Sequence, residues 1–319
     1  NRLRAFAAMA AIGLTLTGGT ASAQYEVNFI NIGTGTTGGS FYPAGIALSK
    51  LISDNLPVRA SAMSSAGSVE NVGLLKGGEA NMAFIQINVA QDAIAGRNAF
   101  SDDQFDGMVM LSPMFRSQDH VVVRSSEDIN SLADLRGKRV AVGRAGSGTL
   151  LTSEALLASA GLSFDDIDPE YIGQGEALDA LKNGVIDAAP VSGGIPISAL
   201  TEALTTAGEE LAIYSMTPEE QRAFIETSGW KVSDTLPAGT YPGQDEPITT
   251  TAHMALLMVP ADFPEDLGRD ILDLIYNRVE ELRAAHGVYK SVSEEAAKSA
   301  IDQLTVPLAA GTKAYFGIE

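Results

Sequence analysis

Two segments rich in glycine and hydroxyl side chains carry the chemistry this chain could do. The first, Gly33-Thr34-Gly35-Thr36-Thr37-Gly38-Gly39-Ser40, follows an apolar run, Val27 to Ile32, and precedes a helical pattern from Phe41 to Ile52. The second, Arg144-Ala145-Gly146-Ser147-Gly148-Thr149, follows the strand-like Arg139 to Gly143 and precedes a helix running to about Ala160. Each unit turns free backbone N–H groups and hydroxyls toward the positive end of a helix dipole, which suits a carboxylate or phosphate. The groups concerned are Thr36, Thr37, Gly38, Gly39 and Ser40 in the first loop, and Ser147, Gly148 and Thr149 in the second. Serine and threonine at such places also serve as plain helix caps. Two loops of this kind in one chain favour binding.

Further polar residues fall where strands give way to helices, the edge at which open α/β sheets collect ligands. They are Ser64 and Ser65, Gln86, and Ser192 with Gly193. Tyr42 and Tyr241 could pack on the apolar part of a ligand, or simply be half-buried. Arg116 and Arg144 are the best cationic partners, and a solvent-exposed role competes for each.

Catalytic signals are weaker. Gly33-x-Gly35-x-x-Gly38 matches a dinucleotide fingerprint, but that motif needs an acidic residue ending the next strand. Asp54 ends a helix instead, and the second strand runs out into Met63, Ser64 and Ser65. Gly39 stands where a P-loop needs its lysine. His120, His253 and His286 have no metal-ligand spacing and read as structural or surface residues. No Gly-x-Ser-x-Gly elbow is present. The residues therefore point to a protein that is not an enzyme, with no cofactor, no metal and no catalytic residues.

Charge and composition narrow the partners. The formal net charge is −19, from 40 acidic and 21 basic residues. Such a chain repels nucleic acid and anionic lipid, although a local dipole can still hold a small anion. There is no cysteine, so no disulfide and no thiolate metal site. Arg2 and Arg4, the apolar run Ala5 to Leu16 and the small residues Ala21-Ser22-Ala23 read as a signal peptide over residues 1–23, cleaved after Ala23. That predicts a periplasmic protein. The remainder alternates strands and helices, which argues for α/β architecture with mainly parallel sheets. Expected strands include Gly107 to Ser112, His120 to Val123 and Thr251 to Val259. A loop is expected over Leu236 to Ile248, and a long helix over Pro264 to Ala285. No linker separates the halves, so strands near Pro113–His120 and Thr251–Leu257 are expected to cross between lobes.

The order Gly33-Thr34-Gly35-Thr36-Thr37-Gly38-Gly39-Ser40-Phe41-Tyr42-Pro43, Ser65-Ala66-Gly67-Ser68-Val69-Glu70-Asn71, Asp134-Leu135-Arg136-Gly137-Lys138, Gly146-Ser147-Gly148-Thr149 and Pro237-Ala238-Gly239-Thr240-Tyr241-Pro242-Gly243 resembles the TAXI-type solute-binding proteins of TRAP transporters. The chain departs from that family at Pro307-Leu308-Ala309-Ala310, which lacks a His-Pro, and at Arg144-Ala145, where Ala-Pro is more usual. The resemblance implies a type II periplasmic-binding-protein (Venus flytrap) fold. Each of its lobes would be a mainly parallel sheet flanked by helices: lobe I from residues 24–114 plus 257–319, lobe II from 115–256. It implies a monomer that closes on a small anionic or zwitterionic solute, of the glutamate, glutamine or 2-oxo-dicarboxylate kind, and delivers it to the membrane permease subunits of a TRAP transporter. An exported ligand sensor of the same fold is the alternative, with a dinucleotide-binding oxidoreductase behind it.

Overall fold

The structure, a computed structural model, describes residues 25–319. The signal-peptide reading lies outside those residues. In chain order the elements are β1 (Phe29–Gly33), α1 (Phe41–Asn55), β2 (Arg59–Met63), α2 (Ser68–Lys76), β3 (Met82–Gln86), α3 (Ile87–Ala95), β4 (Met108–Arg124), β5 (Arg139–Ala141), α4 (Gly148–Ser159), β6 (Asp168–Glu170) and α5 (Gln174–Lys182). There follow β7 (Ala188–Gly193), α6 (Ser198–Ala207), β8 (Leu211–Tyr214), α7 (Pro218–Ser228), β9 (Val232–Leu236), β10 (Ile248–Pro260), α8 (Glu265–Asn277), α9 (Val279–Ala285), α10 (Glu294–Ile301) and α11 (Ala310–Phe316).

The fold is α/β and two-lobed, and one sheet of ten strands runs through both lobes in the order β2-β1-β3-β10-β4-β7-β5-β6, with β8 on β4 and β9 on β10. The outer pairings, β1 with β2 and β3 and β5 with β6 and β7, are parallel. Every pairing of β4 or β10 with another strand is antiparallel, and a lone parallel bridge joins Met110 of β4 to Leu308. Those two long strands pair with each other from Ala252↔Gln118 to Pro260↔Met108 and form the connection between the lobes. Two register shifts interrupt the ladder, at Ala255/Leu256 and Leu257/Met258. Pro113, which has no N–H to give a ladder, stands opposite Leu256 beside the first of them.

Strand burial explains the continuous apolar runs of the sequence, because helices cover both faces of the sheet. Phe84 faces a core with Ile30, Leu48 and Leu257, while its neighbour Ile85 faces another with Val72, Met110 and Met258. In the other lobe Val122 packs with Val191 and Leu200, while Val121 and Val123 pack with Val140, Leu156 and Phe224. The C-terminal helix α8 returns to the first of these cores through Leu267, Ile271 and Ile275. Gly311 of α11 packs against the backbone of α8, where an added Cβ would stand 2.7 Å from the Arg269 nitrogen.

Several boundaries differ from expectation for identifiable reasons. The two expected strands, Gly107 to Ser112 and His120 to Val123, belong, from Met108 on, to one 17-residue strand, β4, because the residues between them, Arg116 apart, are buried in the lobe connection. The strand β9 lies inside a region with no apolar alternation; Val-Ser-Asp-Thr-Leu is an edge strand with three exposed residues. The long C-terminal helix is broken at Arg278, whose φ of −120° and ψ of 25° leave the helical region. One such residue keeps the apolar stripe on the same side, so periodicity does not reveal it.

The crossing strands carry a buried polar cluster. Asp119 of β4 accepts from Lys231 Nζ at 2.6 Å, from Ser192 Oγ at 2.6 Å and from Thr251 Oγ1 at 2.6 Å. Lys231 lies 3.0 Å from His253 Nδ1 and 4.3 Å from the centre of the Trp230 ring. Burial pushes Lys231 down to about 8, against the pull of Asp119. Burial, the largest single influence, raises Asp119, but the charges of Lys231 and His253 and the hydrogen bonds from Lys231 and Ser192 together hold it below the usual carboxylate range. Burial lowers His120 to about 4, and burial together with Lys231 lowers His253 to about 3.

These histidines set a pH dependence. The unfolded chain takes up their protons near pH 6.5, whereas the folded chain takes them up only near 4 and 3. Between those limits the unfolded state holds up to two more protons, so stability rises with pH and is lost on acidification. The free energy of urea unfolding is expected to fall from about pH 6.5 downward, at up to ~1.4 kcal/mol per pH unit per histidine. Unfolding free energies that stay level between pH 7 and 5 would contradict this account.

Candidate functional site

A cavity of about 50 Å³ lies between the lobes, at the ends of the parallel strands. Five helices begin at its wall. Ser40 and Phe41 open α1, Gly67 and Ser68 open α2, and Gln86 precedes α3. From the other lobe come Ser147, Gly148 and Thr149 at the start of α4, and Gly173 and Gln174 at the start of α5. First-turn amides have no acceptor within their own helix, and the five dipoles present their positive ends together. No Asp or Glu among the described residues lines this cavity. Arg144 does, and it makes no ion pair among the described residues.

The first glycine loop is held by side chains around it. Thr34 Oγ1 donates to Met63 O at 2.7 Å. Asn71 Nδ2 donates to Thr34 O at 2.7 Å and to Phe84 O at 2.8 Å, tying three strand ends together. Gly33 is needed for this, since a Cβ there would stand 2.9 Å from Asn71 Oδ1. In the second loop Ser147 Oγ accepts from Leu150 N at 3.0 Å, so its hydroxyl caps α4 while lining the cavity.

Of the residues singled out from sequence, Thr36, Gly39, Ser40, Gln86, Arg144, Ser147, Gly148, Thr149 and Ser192 line the cavity. Thr37, Gly38, Ser64 and Ser65 line an adjoining cavity of about 440 Å³ that shares Thr36, Ala66, Arg144 and Gly173 with the first. Ser65 Oγ donates to Asn71 Oδ1 at 2.7 Å and so supports the loop. Gly193 lies against Ser40, where an added Cβ would be 2.8 Å from Ser40 Oγ. Tyr42 stands half-buried on α1, away from both cavities. Tyr241 is buried in the second lobe, where its hydroxyl accepts from Ile197 N at 3.0 Å and its ring meets that of His120. Arg116 sits elsewhere, 3.8 Å from Asp234.

Sequence reading passed over Ser68, Ser117, Gly173 and Gln174, all of which line the cavity. Gly173-Gln174-Gly175 follows a short strand and opens a helix, with Glu176 Oε2 accepting from Gly173 N at 3.0 Å. That is the same strand–glycine–helix signal as in the two loops that were noticed. Ser117 lies inside β4 and carries no such signal.

The lobes touch each other closely. Gly194 N donates to Ser40 Oγ at 3.0 Å, and Glu70 N donates to Gly146 O at 3.0 Å. Gly38 of one lobe faces Gly175 of the other so tightly that a Cβ would stand 2.7 Å from the Gly175 Cα. A Cβ on Gly148 would overlap the Gln86 amide.

Residues 32–317 match the NMT1-like family. The chain belongs to that family. Solved structures share the fold of this NMT1-like protein at low identity. PhnD1 from Prochlorococcus marinus (MIT 9301), in complex with methylphosphonate, is 12% identical with a TM-score of 0.54, over 92% of this chain and 99% of that one. An ancestral arginine-binding protein bound to arginine is 16% identical with a TM-score of 0.50, over 88% and 100%. A protein of Bordetella bronchiseptica RB50 is 19% identical with a TM-score of 0.54, over 89% and 83%. The NMT1-like chain therefore has the type II periplasmic-binding-protein fold.

The glycine contacts make closure testable. Gly38 lies outside the left-handed region, so alanine fits its backbone and meets an obstacle only at Gly175. Gly38→Ala is expected to leave the unliganded melting midpoint unchanged. It should weaken ligand binding at least about tenfold, the scale of an overpacking penalty of about 1–3 kcal/mol. Calorimetric titration and thermal melting check both parts, and undiminished affinity would mean that the lobes do not meet here in the bound state.

Proposed function

We propose that this chain is an extracytoplasmic solute-binding protein that captures a small carboxylate or amino acid by hinge closure and passes it to the membrane permease of a TRAP transporter of the TAXI type. One observation carries the reading: five helix N-termini and an unpaired arginine surround a small cavity, free of acidic residues, between two lobes. In a chain of strongly negative net charge, such a concentration of positive potential selects a small anion locally. The antiparallel crossing strands β4 and β10 supply the hinge, and we place the lobe division at 24–114 plus 257–319 and 115–256.

Support from relatives is of two kinds. Family membership and fold agree with a binding role, and two of the similar structures named above hold methylphosphonate and arginine. The TRAP and TAXI assignment, the periplasmic location and the glutamate-like ligand class rest on the sequence resemblance. A ligand that touches both lobes stabilises the closed state, and a permease reads that state. The ligand contacts we assign are those of Thr36–Ser40, Gln86, Arg144, Ser147–Thr149 and Ser192.

The direct test is to denature purified protein and identify any released small molecule by mass spectrometry, then to titrate the refolded chain with it. A stoichiometric carboxylate or amino acid is the expected release; a nucleotide cofactor would overturn the reading. Arg144→Gln should weaken binding of that anion roughly tenfold to a hundredfold, the value of a charged hydrogen bond. Because Arg144 is exposed, the unliganded melting midpoint should not move. Unchanged affinity would remove Arg144 from the site.

A further inference from the structure

We propose, resting on the reading of the cavity as a solute trap, that Gln174 and Gln86 select a solute carrying an N–H donor beside its acid group, and reject the matching 2-oxo acid. The orientation of Gln174 is the starting point. Its Nε2 donates to Ser192 O at 3.0 Å and to Thr149 Oγ1 at 3.0 Å. A backbone carbonyl only accepts, so the amide cannot be turned round without setting two oxygens against each other. Gln174 Oε1 is thereby fixed; it is buried and has no hydrogen-bond partner. It lies 3.8 Å from where a Cβ of Gly39 would stand, so it reaches across the cleft toward the opposite lobe.

The carbonyl that orients Gln174 is itself held. Ser192 Oγ donates to Asp119 Oδ1, which Lys231 also binds, while Thr251 Oγ1 donates to Oδ2 of the same carboxylate. The chain of contacts thus runs from the crossing strands to the cavity wall, and it leaves Gln174 no alternative pose.

Gln86 adds a second amide from the first lobe, held by no side-chain hydrogen bond among the described residues. Its side chain is 95% buried by its 5% exposure, lines the cavity, and has an unpartnered Oε1. Ser117 Oγ, at 1% exposure, is the third unpartnered polar atom on the wall. The Gln174 oxygen, fixed as an acceptor, requires a donor from the solute, and the Gln86 amide, which nothing in the structure anchors, can turn its oxygen to the same donor. A carboxylate or a keto group has none to offer, whereas an ammonium group has three. The helix N-termini and Arg144 bind the acid group, and the two glutamines bind its amino neighbour. A site built to hydrogen-bond an N–H rejects the analogue lacking it, because its own polar atoms are then left unpaired.

The experiment is calorimetric titration of the whole protein with matched pairs: L-glutamate against 2-oxoglutarate, and L-alanine against pyruvate. For the pair that fits the cavity, the amino member is expected to bind at least about a hundredfold tighter. In Gln86→Met, and in Gln86→Met/Gln174→Met, that gap should shrink to roughly tenfold or less. Gln86 makes no side-chain hydrogen bond in the structure, so the single variant folds even if the double does not; a thermal melt verifies it. Equal binding of the two members by the wild type overturns the selection while leaving the trap intact, as does a gap unchanged in the folded Gln86 variant. Binding of neither member of any pair overturns both readings.

Discussion

The buried contact between Asp119 and Lys231 is the constraint on which the rest of the molecule depends. It joins β4 to the residue just before β9, beside the two strands, β4 and β10, that pass between the lobes. Burying two charges costs more than their attraction returns unless each is fully hydrogen-bonded. Here Asp119 accepts from lysine, serine and threonine side chains, and Lys231 rests on the face of Trp230. The cluster ties β4, β7 and β10 together, so a slip of either crossing strand by one residue would strand a charge in the core. We regard the pair as a register lock for the hinge. Its link through Ser192 to Gln174 makes the cavity wall part of the same locked unit.

The electrostatics of the cavity run against those of the whole chain. A net charge of −19 would discourage an anion at long range, yet most acidic residues, buried Asp119 and Asp187 apart, lie on outer surfaces where salt screens them within about 10 Å. Inside the cleft the field comes from backbone dipoles, which need no counter-ion. Glu70 and Glu176 lie in the adjoining cavity beside Arg144, but each carboxylate is occupied with a backbone amide, of Ala66 and of Gly173 respectively. The positive ends of the helices therefore remain the dominant local feature.

Much of this was legible in the sequence, and the residues that were not are instructive. The two glycine loops announced themselves because a strand, a run of glycines and hydroxyls, and a helix stood next to one another. Helices such as α2 and strands such as β8 fell where composition placed them. Ser147 was readable as a cap, and its hydroxyl does cap α4. Gln174 escaped because the helix after the strand near Glu170 reads from sequence as starting at Glu176, whereas α5 starts at Gln174, and because the turn before it carries no run of glycines and hydroxyls. Asp119, Lys231 and His253 escaped for a different reason. They lie apart in sequence, and the pairing of β10 with both β4 and β9 brings them together. Tyr241 shows the limit from the other side: an aromatic in a loop of glycines and prolines looks available to a ligand, but its hydroxyl is needed to hold Ile197 at the start of α6.

Closeness of approach explains why glycine recurs on both sides of the cleft. Gly38 meets Gly175, Gly67 meets Ser147, Gly148 meets Gln86 and Gly193 meets Ser40. At each point one backbone comes against a neighbour with little side chain between, so the lobes meet as rigid surfaces and the space left between them is small and fixed. A trap of this kind gains little from the lobes' own contacts, since glycine offers almost no apolar area to bury. The free energy that favours closure must then come from what bridges the lobes. That places the discrimination between solutes at the few wall groups left unpaired in the closed state, and not in the closure itself.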